Sequence, residues 1–219
     1  MSRRTIFIIN NLFIFITTVI ATAVAMTYGS RGTRIDGTVT EHWQQIVTFT
    51  VLSNIFLAIV ALVTAILAIR KSSLSTTAVS WYLVATTATS VTCLTVLFFL
   101  APARAMRGQN YFDMILEPMF FLHFFNPILA AITYIFLTGD RPVARRARFL
   151  STLPVIVYAI PYILFVVIMQ IWPDFCGVTF GGRYYLTPLV FVAFWLLAFG
   201  SASLLNFCRT RQIKSSFSS

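Results

Sequence analysis

The chain has 219 residues, of which 58% are hydrophobic and 10% are charged, and its formal net charge is +10. A soluble domain carries about 25% charged residues because its surface faces water, so this composition excludes an ordinary soluble protein. The apolar segments are unbroken and do not alternate over about 10 residues, which excludes a transmembrane β-barrel. The composition therefore predicts an all-α, polytopic integral membrane protein.

Six segments are long and apolar enough to cross a hydrocarbon core about 30 Å thick, which takes about 20 helical residues. We predict membrane helices at about 5–29, 45–69, 77–102, 115–137, 150–172 and 187–208. Because no loop is long enough to build its own core, these helices are expected to form one six-helix bundle over 1–209. The polar, Ser-rich stretch 210–219 is predicted to be a disordered tail.

Basic residues are distributed unequally between the two sides of the predicted bundle. Most of them lie at the chain ends or in loops on the same side, as in the cluster Arg141, Arg145, Arg146 and Arg148. The positive-inside rule therefore places the N and C termini in the cytoplasm. Basic loops attract anionic headgroups, so membrane lipids are the expected partners and no nucleic-acid partner is predicted.

Two features indicate how the helices pack and bend. Small side chains let helix backbones approach closely, so the hydroxyl-rich third helix is predicted to be a packing element. Its hydroxyl residues are Thr86, Thr87, Thr89, Ser90, Thr92 and Thr95. Prolines inside the fourth and fifth helices are expected to distort them locally, and these are Pro127, Pro154 and Pro161.

Polar side chains inside apolar helices are costly in hydrocarbon and are therefore the first candidates for a functional site. The fourth predicted helix carries His123 with Asn126 three residues later, and the second carries Thr50, Ser53 and Asn54 within one turn. At 1.5 Å per residue, Thr50 lies about 8 Å and His123 about 12 Å from the outer ends of their helices. The two polar groups therefore share the outer leaflet, and they can meet if the helices are neighbours.

A hydroxyl beside an imidazole indicates nucleophilic catalysis, in which His123 removes the Thr50 proton and the oxygen attacks an acyl carbon. Ser53, Asn54 or Asn126 could then donate hydrogen bonds to the developing oxyanion. The alternative is that these polar groups form an interhelical hydrogen-bond clamp. The residues alone leave both possibilities open.

The order of the motifs resembles one family of membrane enzymes. The stretch 49–54 (FTVLSN) follows Trp43, and the stretch 122–127 (LHFFNP) precedes the basic segment 138–142 (TGDRP). This pattern, over about 43–206, resembles the six-helix androgen-induced and androgen-dependent membrane hydrolases, and more closely their bacterial relatives of unassigned function.

The resemblance implies an enzyme of the threonine-hydrolase type, which in the animal members splits fatty acid esters of hydroxy fatty acids. It implies that Thr50 is the nucleophile and His123 its partner, with Thr48 as a second candidate for the motif threonine. It also implies a multi-pass protein of the bacterial plasma membrane.

Three further polar residues were considered for the site. Arg183, in the last outer loop, could meet a fatty carboxylate at the interface, or it could be a solvated charge. Glu117 lies about 120° round the helix from His123 and is poorly placed to orient the imidazole. His42 is expected to be solvated just before the second helix. We predict no cofactor and no metal.

Two other functions remain as alternatives. A small-solute transporter could use the third-helix hydroxyls and His123 as a polar path, although coupled transport usually relies on charged groups inside the spans. A non-catalytic lipid-binding scaffold would use Thr50 and His123 only to tie helices together.

Overall fold

The computed structural model describes residues 1–28, 42–71, 73–108, 110–112, 119–141, 143–144, 146–174, 177–179 and 182–216. Within these ranges the chain is helical and contains no β-strand. Its α-helices are α1 (Arg3–Tyr28), α2 (Phe49–Arg70), α3 (Thr76–Thr95), α4 (Ala101–Ala105), α5 (Asn126–Leu137), α6 (Ala147–Leu150), α7 (Leu153–Tyr162) and α8 (Thr187–Ser216). The described ranges also hold the 3-10 helices His42–Val47 and Tyr184–Leu186 and the π-helical segments Val96–Leu100, Phe121–Phe125 and Ile163–Ile168.

Five helical stretches are long and apolar enough to cross a bilayer, which confirms the predicted class of α-helical, multi-pass membrane protein. They are Arg3–Thr27, Phe49–Arg70, Thr76–Ala105, Ala147–Ile168 and Tyr184–Ser215. A shorter apolar helix, Phe121–Leu137, corresponds to the fourth predicted helix. The predicted start of that helix, 115–118, lies outside the described residues.

The last helix extends further than the sequence predicted. Helix α8 ends at Ser216, so the prediction of a helix to 208 and a disordered tail from 210 is wrong up to that residue. Polar composition does not distinguish a disordered tail from a helix that is anchored by a buried residue, and Arg209 anchors this part of α8. Arg209 is only 2% exposed, and it donates hydrogen bonds to the Thr138 hydroxyl at 2.9 Å and to the Gly139 carbonyl at 2.7 Å.

Both ends of the described chain meet at one segment of the bundle. In the first turn of α1, Arg3 donates to the Phe136 carbonyl at 2.6 Å, and Arg209 in α8 reaches the carbonyls of Gly139 and Arg141. The start of α1 and the last part of α8 therefore lie at the end of the bundle where α2 and α5 also finish. We call this the basic end.

Helix α3 packs against several other helices, in agreement with the packing role that its small hydroxyl residues predicted. Thr86, Thr87 and Thr89 are all fully buried. Next to α3, Ala61 of α2 and Ala130 of α5 belong to one buried cluster, and their small side chains permit close approach of the backbones. This packing sets the second, third and fourth predicted helices side by side, which positions the candidate site.

Prolines account for two of the three π-helical segments. A proline ring clashes with the carbonyl four residues earlier and offers no N–H. For both Pro102 and Pro127 that carbonyl lies inside a π-helical segment, and for Pro127 it belongs to His123. A π turn is wider than an α turn, which relieves the clash. Here the Asn126 N–H donates to the Phe121 carbonyl five residues before it.

Candidate functional site

The start of α2 distinguishes the two candidate threonines. The Thr48 hydroxyl donates to the Gln45 carbonyl at 2.8 Å and accepts from the Val51 N–H at 3.3 Å. This is an N-cap arrangement, so the hydroxyl is engaged in holding the helix end. Thr50 is half-buried in the first turn, and its hydroxyl makes no hydrogen bond with any described residue. Thr50 is therefore the threonine whose hydroxyl is available.

Asn54 joins the second and fourth predicted helices. It is fully buried, and its Nδ2 donates to the carbonyls of Thr50 and Leu122, each at 2.9 Å. In the π turn a carbonyl pairs with the N–H five residues later, and for Leu122 that residue is Pro127, which has no N–H. The Asn54 amide supplies the missing donor. The turn that carries Thr50 consequently lies against the turn that carries His123.

Ser53 and Asn54, which the sequence offered as oxyanion donors, are engaged within the bundle. Asn54 uses both N–H bonds of its amide on the two carbonyls just described. Ser53 is 3% exposed; its hydroxyl donates to the Thr50 carbonyl at 3.1 Å and shares a second hydrogen bond of 3.1 Å with the Thr92 hydroxyl. This pair ties α2 to α3.

Asn126 is also engaged, and with a different helix. Its amide oxygen accepts from the Thr17 hydroxyl at 2.8 Å, and its amide nitrogen donates to the Thr18 hydroxyl at 3.0 Å. Asn126 directly follows the π-helical segment Phe121–Phe125, whose turn is wider than an α-helical turn. Asn126 therefore holds the fourth span against α1.

His123 is buried, with 7% of its surface exposed, in a π-helical segment, an element often found at functional sites. Its backbone N–H donates to the Met119 carbonyl at 2.8 Å, and Met119 and Leu122 pack with Val51 of α2. Among the described residues there is no hydrogen bond between the Thr50 hydroxyl and the imidazole. The two turns are adjacent, but the two candidate reacting groups are not joined.

Thr50 lines a narrow cavity enclosed by α2, α3, α7 and α8. The space open to the centres of water-sized molecules is about 50 Å³, several times what one water needs. Its lining includes three threonines, Thr50, Thr92 and Thr95, and two tyrosines, Tyr158 and Tyr162. The remaining lining side chains are apolar. Such a cavity suits an apolar ligand that carries one polar group.

The loop after the fifth predicted helix covers this cavity through Val178, which is 1% exposed. Asp174 holds the loop in place. Its carboxylate accepts from the Tyr162 hydroxyl, from the Val178 N–H at 2.9 Å, and from the N–H and hydroxyl of Thr179 at 2.8 Å and 2.7 Å. Sequence reasoning missed Asp174 because a single loop carboxylate has no periodic signal.

An apolar groove of about 510 Å³ lies on the outside of the bundle, between the continuation of α3 and the start of α8. Thr95 and Phe194 line both the groove and the cavity, and Phe98 in the groove is 75% exposed. The Thr95 hydroxyl is buried and has no hydrogen-bond partner among the described residues. Thr95 and Phe194 thus lie between the Thr50 cavity and this apolar groove.

The other polar candidates lie away from the cavity. Arg183 is exposed, its carbonyl accepts from the Leu186 N–H at 3.0 Å, and it lines neither the cavity nor the groove, so its carboxylate-binding role stays a prediction. His42 begins a 3-10 helix, and Glu117 lies outside the described residues. In the described ranges, no group of three or more His, Cys, Asp or Glu side chains is placed to hold a metal ion.

Comparison of the chain with protein-family models, with curated proteins and with solved structures gives no match. The resemblance to the six-helix membrane hydrolases stays a prediction from the motifs. The chain is an α-helical, multi-pass membrane protein, and what it does is argued below from its own side chains.

Proposed function

We propose that the chain is a six-span intramembrane hydrolase of lipid esters, with Thr50 as nucleophile and His123 as general base. The observation that carries the proposal is the Asn54 bridge, which holds the turns of these two residues together inside the bundle. Two further observations support it: the Thr50 hydroxyl makes no hydrogen bond with the described residues, and Thr50 lines a cavity next to an apolar groove.

The proposed reaction proceeds through an acyl-enzyme. The Thr50 oxygen attacks the ester carbonyl carbon while His123 takes the hydroxyl proton, and the tetrahedral intermediate expels the alcohol, which receives that proton. Water, deprotonated by His123, then attacks the acyl-Thr50 ester and releases the fatty acid. Catalytic hydrogen bonds are often long before substrate binds, so formation of the hydrogen bond between Thr50 and His123 belongs to the substrate complex.

The surroundings of the cavity support a fatty-acyl substrate. An acyl chain that moves from the bilayer into the groove beside Thr95 and Phe194 exchanges one apolar environment for another, so it enters without a hydrophobic cost. A substrate entering from the groove approaches Thr50 sideways from the bilayer. We place this site in the outer leaflet half and both termini in the cytoplasm, as the distribution of basic residues favours.

Covalent labelling with a fluorophosphonate lipid probe tests the proposal. The Thr50 oxygen displaces fluoride from phosphorus, and His123 takes the proton. We expect wild type and Thr50→Ser to be labelled, because both carry the hydroxyl. We expect labelling to fall at least about 100-fold in Thr50→Val and His123→Ala, which is the lower end of the range for removing a general base. Full labelling of Thr50→Val would refute the assignment.

Thr95→Val is the matched control for this experiment. Thr95 is the same residue type in the same cavity, and its hydroxyl also lacks a partner among the described residues. We expect this variant to be labelled as wild type is. Loss of labelling in Thr95→Val, with Thr50→Val still labelled, would identify Thr95 of α3 as the nucleophile.

A non-catalytic lipid-binding scaffold is the second candidate, because Ser53, Asn54 and Asn126 all have packing roles in the described bundle. Unlike a hydrolase, a scaffold binds the lipid without turning it over. A scaffold retains acyl lipid through purification, as mass spectrometry of the extracted lipid would show, and it is not labelled by the probe in wild type.

A further inference from the structure

A second cavity lies at the basic end, far along α2 from Thr50. It is a cleft of about 560 Å³ between the start of α1, the end of α2 with the turn after it, and the segment that follows α5. Four cationic side chains line it: Arg3, Arg4, Lys71 and Arg141. One carboxylate, that of Asp140, also belongs to the lining. The cleft therefore carries a formal excess of three positive charges.

Two of these cations are held in place by helix ends. The Arg3 Nε–H donates to the Phe136 carbonyl at 2.6 Å, and Arg4 donates to the carbonyls of Ala68 and Ile69 at 2.7 and 3.0 Å. Carbonyls in the last turn of a helix lack intrahelical partners and carry partial negative charge, so they fix guanidinium groups well. A guanidinium has five N–H donors. Arg3 and Arg4 therefore keep several donors unused by the described residues.

No carboxylate neutralises the cleft within the described ranges. None of Arg3, Arg4, Lys71 and Arg141 forms an ion pair with a described acidic side chain, Asp140 included. Uncompensated cations around a concave surface attract an anion strongly, because the surrounding apolar walls lower the local dielectric.

The wall of the cleft is preformed. Arg209 donates to the Thr138 hydroxyl at 2.9 Å and to the carbonyls of Gly139 and Arg141 at 2.7 and 2.8 Å, and its guanidinium lies 5.5 Å from the centre of the Tyr134 ring. The segment also needs glycine at 139, where φ is +79°. Arg209 is therefore a positioning residue that fixes the Arg141 side of the cleft.

From this arrangement we infer that the basic end binds the phosphate of an anionic phospholipid headgroup. Guanidinium forks match phosphate oxygens in pairs, and Arg3 and Arg4 present such forks, while Lys71 and Arg141 add positive charge. The same cleft is lined by Phe7 and other apolar side chains, which suit the glycerol and first methylenes of a lipid. Basic pockets between membrane helices commonly bind anionic headgroups. This inference is independent of the proposed hydrolase.

Lipid binding by the purified full chain, followed by native mass spectrometry in detergent, tests the inference. The probes are dioleoyl phosphatidylglycerol, dioleoyl phosphatidylcholine and inorganic phosphate. The variant is Lys71→Gln/Arg141→Gln, because these two exposed side chains make no hydrogen bond with the described residues and their loss leaves the bundle intact. We expect wild type to bind phosphatidylglycerol first, and the double variant to lose affinity about tenfold or more.

The matched control is Arg146→Gln/Arg148→Gln. It removes the same charge from two exposed residues that do not line the cleft, and we expect less than a twofold change. Equal losses in the two double variants would overturn the inference, since binding would then reflect diffuse surface charge. Equal binding of phosphatidylcholine would also overturn it. If inorganic phosphate competes at concentrations that match the lipid, the cleft binds soluble phosphate, and the inference of a phospholipid ligand is overturned.

Discussion

The bridge from Asn54 to the Leu122 carbonyl should contribute measurably to the stability of the bundle. Among the described residues, Asn54 is the only donor that replaces the N–H missing at Pro127. Asn54→Ala removes this donor and leaves the carbonyl of the fully buried Leu122 unpaired. An unsatisfied buried group costs about 1–3 kcal/mol, whereas an interhelical hydrogen bond in a membrane protein averages about 0.6 kcal/mol. Removal of the unpaired Asn54 Oδ1 offsets part of the loss. We therefore expect a destabilisation of about 1–2 kcal/mol.

Unfolding in mixed micelles with increasing dodecyl sulfate measures this change. The buried thiol of Cys93, 7% exposed, reports unfolding through its reaction with a maleimide once Cys176 and Cys208 are replaced by Ser. Asn10→Ala is the control. It removes the hydrogen bond of 3.0 Å between Asn10 and the Thr133 hydroxyl, which links α1 to α5 without a proline nearby. We expect that control to cost only about 0.6 kcal/mol.

A double-mutant cycle with Pro127 tests whether Asn54 stabilises the bundle because it replaces the N–H that Pro127 lacks. Pro127→Ala restores an N–H that can pair with the Leu122 carbonyl, so Asn54 becomes less necessary. We expect Asn54→Ala to cost about 1 kcal/mol less in the Pro127→Ala background than in wild type. Equal costs in both backgrounds would refute the idea that Asn54 substitutes for the missing donor.

Three further changes have defined expected outcomes. Thr48→Ala should cost about 1 kcal/mol in dodecyl sulfate unfolding through loss of the N-cap and should leave probe labelling of Thr50 unchanged. Arg209→Ala should destabilise the bundle by about 3 kcal/mol, because a buried group bonded to three oxygens is lost, and should expose the segment after α5 to limited proteolysis. Asp174→Asn replaces one accepting oxygen of the carboxylate with a donor, so it should release the loop. We expect a cysteine introduced by Val178→Cys to react with maleimide several-fold faster in this background. An unchanged rate would show that the loop does not depend on the carboxylate.

The fold class could be predicted from the sequence because hydrocarbon imposes long unbroken apolar helices, and this is visible in composition alone. The packing role of α3 also followed from its small hydroxyl residues. Helix α8 was predicted too short because the anchoring of Arg209 depends on Thr138, which lies 71 residues away in the chain. A composition argument cannot detect such a partner.

The candidate site was predictable in part. Thr50, His123 and Asn54 stood out as polar groups in apolar helices, and Asn54 does connect the two turns. The bonding of Asn126 to Thr17 and Thr18 could not be predicted, because those partners lie more than 100 residues away in the chain. The hydrogen bonds from the loop to the Asp174 carboxylate could not be predicted, because they depend on the conformation of the loop.

The meeting of α1 and α8 at one segment has a consequence for how the protein is made. Arg3 bonds to a carbonyl 133 residues further along the chain, and the segment after α5 is completed by Arg209 still later. During synthesis the Arg3 contact can form only after the fourth predicted helix has been made, and the Arg209 contacts only after the last helix has been made. Joining the two ends by a short linker and opening the chain at another loop should therefore preserve the assembled bundle.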